Sequence, residues 1–208
     1  MVRQPVQAAP IRTPRLTLVP CELRHVDAIL RNDRAALAAM VNADVPAEFP
    51  NADTREVLPE YRRWLAEDPD LLGWMFYLIR HDGDRRLIGE AGYTGQPDDA
   101  GHVGLGFAVI PAYRGHGIAS EAARGLVDHA FSFGRVRSVG AETHGDAHAA
   151  NHVLEKVGLT VVRRRDADDG GLLEWAVTRA QWPAYADIER WGRGTVPQAR
   201  ADAPAVEA

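Results

Sequence analysis

The chain has 208 residues, 46% of them hydrophobic, which suits one full-sized domain and excludes wholesale disorder. Its formal charge of −5 argues against a general nucleic-acid binder. Cys21 is the single cysteine, so no intrachain disulfide is possible, and one thiol fits a reducing compartment.

Residues 1–10 (MVRQPVQAAP) read as a loose arm with no apolar core of signal-peptide type. Arg15–Pro20 alternates apolar and polar and reads as a strand. Val26, Ile29, Leu30, Leu37 and Met40 recur at helical spacing over 24–41. Residues 54–67 begin at a Thr cap and place Val57, Leu58, Tyr61, Trp64 and Leu65 on one face. Three strands follow, Trp74–Arg80, Leu87–Thr94 and His102–Ile110, separated by the turns HDGDR and QPDDAG. They pair most simply as an antiparallel meander. A long helix runs from Gly117 to about Phe133, with Ile118, Ala122, Leu126, Val127 and Ala130 inward. Val136–Thr143 is a strand, and His148–Val157 a helix ended by Gly158. Val161–Arg165 and Leu172–Thr178 are strands around DADDGG, and 179–190 form a last helix. Residues 192–208 read as a flexible tail. The order describes one mixed α/β domain over 11–191 with helices on the sheet's faces. No apolar run approaches the roughly 20 residues of a membrane helix, so the expected location is cytoplasmic.

Chemistry concentrates in Phe107–Ser120, FAVIPAYRGHGIAS. Pro111 ends ladder bonding because it lacks an N–H. Arg114-Gly115-His116-Gly117-Ile118-Ala119 then opens the long helix directly. The glycines let the backbone approach a ligand, and the first helical N–H groups have no internal partner. Together with the helix dipole they make a pyrophosphate site. A P-loop would need Lys-Ser or Lys-Thr after the second glycine, and a dinucleotide fingerprint a third glycine where Ser120 stands.

The segment resembles the acetyl-CoA loop of the GNAT acetyltransferase superfamily, [Q/R]-x-x-G-x-[G/A], as Arg114, Gly117 and Ala119. TPRLTL at 13–18, residues 88–122 and VLEKVGL at 153–159 resemble its ribosomal-protein-alanine-acetyltransferase-like branch, in the family's order and over roughly residues 11–180. The resemblance implies a mostly antiparallel central sheet, splayed where the strand at 107–109 leaves Val136–Thr143. It implies acetyl-CoA as cosubstrate and no metal. Pantetheine would pair with the backbone of Phe107, Ala108 and Val109. The N–H groups of Gly115, His116, Gly117, Ile118, Ala119 and Ser120 would hold the pyrophosphate. The acceptor amine, on a small molecule or a protein N-terminus, would attack the thioester directly, with a backbone N–H near Val109 polarising the carbonyl. Neither nucleic acid nor a membrane is an expected partner; a homodimer is.

The family's proton-handling positions are empty here. Where relatives carry Glu this chain has Gly104, and where they carry the helix-start Asn it has Ala147. The usual Ser or Tyr acid is replaced by Ala150 and Leu154. Glu90, Glu142 and His144 are the substitute candidates for catalysis, with Asp146 and His148 nearby. Each carboxylate has a plain alternative as a solvated residue or half of an ion pair. Asn151 falls about one turn late to replace the missing Asn. His148 and His152 share a helix face, but no Cys ligand or H-E-x-x-H pattern accompanies them, so a solvated or capping role is expected. Arg163-Arg164-Arg165 is expected to pair with neighbouring acids. Trp64, Trp74, Phe76 and Tyr77 read as core beside the acceptor region. A second functional reading is an acyl-CoA-binding regulatory protein with little catalysis, motivated by an intact loop beside absent acid and base groups.

Overall fold

In the computed structural model, which describes residues 8–165 and 171–182, every predicted strand is present. A two-residue strand, Ile11–Arg12 (β1), precedes them. The others are β2 Leu16–Pro20, β3 Phe76–His81, β4 Arg86–Tyr93, β5 His102–Val109, β6 Ser138–His144, β7 Thr160–Arg165 and β8 Leu172–Thr178. They form one sheet in the order β1-β2-β3-β4-β5-β6-β8-β7. The predicted meander is β3–β4–β5, antiparallel throughout. β5 and β6 pair in parallel.

Among the described residues, five α-helices cover the two faces: α1 Leu23–Leu30, α2 Arg34–Val41, α3 Ala52–Glu67, α4 Ile118–Ser132 and α5 His148–Val157. The expected face of α4 is buried, and the helix packs on β5, β4, β2 and β1. α5 lies beside it on β6. The helix expected over 24–41 is two helices. Asn32 turns left-handed (φ 54°), and Asp33 restarts the chain as the cap of α2, accepting from the Ala36 N–H at 3.0 Å. Periodicity alone misses such a break, because both halves keep the apolar spacing across it.

α3 starts two residues earlier than expected. Its cap is Asn51, whose Oδ1 accepts from the Thr54 N–H at 2.7 Å. Thr54 is the third helical residue, which turns its hydroxyl to another purpose described below. Pro59 therefore lies inside the helix on its exposed side, where water can satisfy the carbonyl it leaves unpaired. Gly158 ends α5 in a left-handed conformation, as expected (φ 107°). Arg179–Gln181 form a turn; the rest of the helix expected over 179–190 lies outside the described residues, as do the turn residues 166–170, most of the arm and the tail.

One polar cluster ties the two ends of the domain's first half together. Glu121, in the first turn of α4, is 3% exposed. Its Oε1 accepts from Thr13 Oγ1 at 2.6 Å and from the Arg15 N–H at 2.8 Å; its Oε2 accepts from Arg15 Nε at 2.6 Å. Arg15 Nη1 continues to the His116 carbonyl at 3.0 Å. This is the physical content of the Thr-Pro-Arg signature at 13–15. Removing one partner of a buried ion pair strands the other, at a cost of about 3 kcal/mol. Glu121→Ala is expected to lower the unfolding free energy by about that amount, read as a lower urea midpoint at an unchanged slope, while Glu121→Gln, which still accepts from Thr13, loses less.

Candidate active site

The loop before α4 has the shape that its glycines predict. Gly115 and Gly117 both take positive φ (79° and 74°), and Gly117 caps α4. Among the described residues, no acceptor takes the N–H groups of Gly115, His116, Gly117, Ile118, Ala119 or Ser120. The loop's carbonyl side is fastened instead. Arg15 holds the His116 carbonyl, and Arg114 Nε donates to the Val109 carbonyl at 2.8 Å. The Ile118 side chain is anchored in the core. A Cβ at Gly115 would meet nothing within 4 Å, so the outer side of the turn is open. Orphaned N–H groups, a helix N-terminus and open space suit a diphosphate. The Arg114 guanidinium itself is spent at least partly on the loop's own strand.

Beside this loop the sheet opens. β5 pairs with β6 over His102, Val103 and Gly104 alone, while its pairing with β4 runs on from Leu105 to Val109. The Ile110 N–H bonds the Ile88 carbonyl, and the Thr94 N–H bonds the Gly104 carbonyl. By the antiparallel alternation, Gly104, Gly106 and Ala108 direct their backbone groups at β4. Leu105, Phe107 and Val109 direct theirs into the gap. Phe107 and Val109 are therefore placed to pair with an extended ligand. The Ala108 backbone is not; its methyl group lines the cavity described next.

That cavity, of about 350 Å3, lies between α3 and the β3–β4–β5 meander. Glu90 sits in it, 6% exposed, directly across the ladder from Ala108. Thr54 Oγ1 donates a short hydrogen bond to Glu90 Oε1, and Asn51 Nδ2 approaches the same oxygen at 3.4 Å. Both donors belong to the N-terminal turn of α3, whose dipole also favours an anion there. Burial pushes the Glu90 carboxyl up to about 7. The Thr54 bond opposes this rise, and the nearby Asp53 charge adds to it. A buried carboxyl poised near neutrality can take a proton from an amine.

The other candidates stand apart. Glu142 shares Glu90's face of the sheet by register, but it lies on β6 in a surface cluster with Arg165 (3.5 Å) and Glu174. His144 ends β6 and is exposed. Neither lines the cavity at Glu90. Asn151 is consumed by structure: its Oδ1 accepts from Thr143 Oγ1 at 2.6 Å, and its Nδ2 reaches the His144 and Gly145 carbonyls. His148 and His152 line a separate polar cavity with Arg164, and among the described residues no three His, Cys, Asp or Glu gather as metal ligands. Arg163 and Arg165 pair with Glu174 on the neighbouring strand. Leu154 is fully buried. Trp74 and Tyr77 are core, Phe76 lines the Glu90 cavity, and Trp64 is exposed on α3.

Gly104, where a carboxylate was expected from the resemblance, is crowded. A Cβ there would lie 2.6 Å from Thr94 Oγ1. Asn51, Thr54, Thr94 and Gly106 also line the cavity, and the sequence alone does not single them out. Recognising Asn51 as the α3 cap would have put Thr54 on the inward turn; the pairing of β4 with α3 has no local sequence signal.

The family model for the acetyltransferase (GNAT) domain matches residues 15–160. The chain is 28% identical over 149 residues to the uncharacterized N-acetyltransferase YjdG of Bacillus subtilis, covering 72% of this chain and 88% of that one. Among solved structures it is similar to Mycobacterium smegmatis RimJ in complex with a CoA-disulfide (TM-score 0.61, 18% identity, 86% of this chain and 90% of that one). It is also similar to RimL, a ribosomal L7/L12 alpha-N-protein acetyltransferase in complex with coenzyme A (TM-score 0.60, 17% identity, 82% and 98%). The Bacillus anthracis GNAT-family acetyltransferase superposes with a TM-score of 0.56 at 16% identity, over 82% and 98%. These likenesses show a shared fold.

The raised Glu90 pKa has a stability consequence. The native chain keeps a proton that the unfolded chain has released, so stability is present in full below the ordinary carboxyl range and falls as pH rises through about 7. Thermal unfolding at pH 5 and pH 8 is expected to show wild type losing stability relative to Glu90→Gln. An equal response of the two proteins would mean that Glu90 ionises normally.

Proposed function

The chain belongs to the GNAT acetyltransferase family, and from that premise we propose how its own residues divide the work of acetyl-CoA-dependent N-acetylation. The N–H groups of Gly115–Ser120 bind the pyrophosphate. The gap-facing edges of Phe107 and Val109 bind pantetheine. The cavity at Glu90 receives a primary amine. The observation that carries this reading is the buried Glu90 carboxyl one strand away from the gap, held by the first turn of α3.

Bound acetyl-CoA supplies an activated acetyl group and a thiol leaving group. Glu90 takes the proton that the acceptor ammonium must lose before its nitrogen can attack. The Val109 N–H, aimed into the gap, is placed to donate to an acyl oxygen, where a fixed dipole is worth more than in water. Proximity across one strand supplies much of the remaining acceleration. A thiol with a pKa of about 8.5 leaves near neutrality without a strong acid beside it, which fits Ala150 and Leu154 at the family's acid positions. RimL is an alpha-N-protein acetyltransferase, acting on a protein α-amine. That supports a primary amine here and leaves both a protein N-terminus and a small molecule open. The regulatory alternative is less well supported, because a purely binding protein has no use for a buried carboxyl poised near neutrality.

Acetyl-CoA at 100 times its Kd is expected to stabilise the protein by about 2.7 kcal/mol, a rise in Tm of roughly 5–10 °C for a domain of this size. Gly117→Val, which forces a branched residue to positive φ, is expected to abolish the shift. No shift in the wild type would remove the loop from the cofactor site. Glu90→Gln should keep the shift and lose turnover by about 100-fold or more. In wild type, kcat/KM should fall below an inflection near pH 7, because the base must be ionised. Thr54→Val should move that inflection upward, since the lost bond favoured the ionised form. An inflection that persists in Glu90→Gln would assign the base elsewhere.

A further inference from the structure

The lining of the Glu90 cavity speaks to the kind of amine it admits, given the reading of that cavity as the acceptor site. Its charged lining residues are Glu90 inside and the exposed Asp53 at the rim; among the described residues no Arg, Lys or His contributes to its walls. Val57, Met75, Phe76 and Phe107 make the rest largely apolar. At about 350 Å3 it is at the small end of ligand sites, with room for an aminomethyl centre and one apolar side chain.

The floor is bare at one point. Gly106 on β5 shares the face of Ala108 and Gly104, and a Cβ built on it meets nothing within 4 Å. The contrast with Gly104, whose corresponding space Thr94 fills, shows that Gly106 is not kept small by a protein neighbour. The empty volume over Gly106 lies beside Phe107 and Ala108, where an amine must come to reach the gap.

We infer that this cavity selects a primary amine carried on an apolar group with no free carboxylate beside it, and that Gly106 sets how large the apolar group can be. An ammonium entering the cavity meets two carboxylates of opposite charge. A free amino acid would bring its own carboxylate into the same small space, facing Asp53 and Glu90 with no cation to pair it. Both an aralkyl amine and the α-amine of a peptide chain satisfy the requirement, since in the peptide the carboxylate has become an amide.

The test is thiol release from acetyl-CoA with four acceptors: L-phenylalanine, 2-phenylethylamine, L-phenylalaninamide and a tripeptide beginning with Phe. 2-Phenylethylamine is no less basic than phenylalanine, so an advantage for it does not come from an easier deprotonation. It is expected to exceed phenylalanine at least tenfold in kcat/KM, and the amide and tripeptide are expected to do the same. The faster of 2-phenylethylamine and the tripeptide identifies the source of the amine, and either order upholds the inference. Gly106→Val is expected to raise KM for phenylalaninamide at least fivefold more than for glycinamide, while keeping the acetyl-CoA shift in Tm. Equal use of phenylalanine and 2-phenylethylamine overturns the carboxylate exclusion. An equal effect of Gly106→Val on both amides overturns the size gate. Turnover of none of the four, with acetyl-CoA still bound, overturns the acceptor-site reading and this inference with it.

Discussion

β5 is held by β4 along its last five residues and by β6 over three residues nearer its start. β6 in turn is held by β8 along its whole length, from Ser138 against Thr178 to His144 against Leu172. β6 thus has a partner along its whole outer side and β5 along its last five residues, and the two halves of the sheet share a short seam. Strand twist accumulates separately in each half, so they diverge beyond Gly104 and Gly140. The divergence leaves the inner edge of Leu105, Phe107 and Val109 without a strand. Such an edge would cost stability in a closed core. Here it opens on a gap that a ligand can enter, and what it offers there is backbone donors and acceptors rather than side chains.

The loop that follows depends on the same economy. Two residues at positive φ would leave it loose, yet it is fastened at both ends by arginines. Arg114 takes the Val109 carbonyl and Arg15 the His116 carbonyl. Both ties are made to acceptors. The donors of Gly115–Ser120 are left pointing outward together at the start of α4, where the dipole adds to them. Arg15 is itself fixed by Glu121, one turn into the same helix, so the clamp sets the position of the loop relative to the helix and to the first strands. A rigid donor set loses little entropy when it closes on an anion.

These two features differ in how far the sequence announces them. The loop was legible because glycine spacing, Pro111 and an adjacent helix are all local. The strands were legible from alternation, to within one or two residues. The break at Asn32–Asp33 was not, since the apolar period persists across it. Glu121 went unremarked because a Glu in a first helical turn is ordinary; its burial comes from Thr13 and Arg15, more than a hundred residues away. Glu90 was legible as a candidate but not as distinct from Glu142. Both are carboxylates on strands, and both face the same side of the sheet. What separates them is that α3 covers one and Arg165 meets the other at the surface.

The chain's departure from its relatives also has a steric logic. A side chain at position 104 would bring its Cβ to 2.6 Å from Thr94 Oγ1, so Thr94 would have to shift to admit one. The buried carboxylate stands on the next strand instead, at Glu90, on the same face and in register with Ala108. Glu90 lies under α3, and the helix start supplies the hydrogen-bond donors that solvent would otherwise give. Asn51 serves two ends at once, capping Thr54 with its oxygen and approaching Glu90 with its nitrogen. Thr54 closes the arrangement with its hydroxyl. The first turn of α3 and the ionisation of Glu90 are therefore one mechanical unit. A displacement of that turn would weaken the bonds that favour the ionised carboxylate while exposing it to water, which favours ionisation. The two effects oppose each other, and burial is the larger of the two, so the packing of α3 over Glu90 governs its proton affinity more than the bonds from Asn51 and Thr54 do.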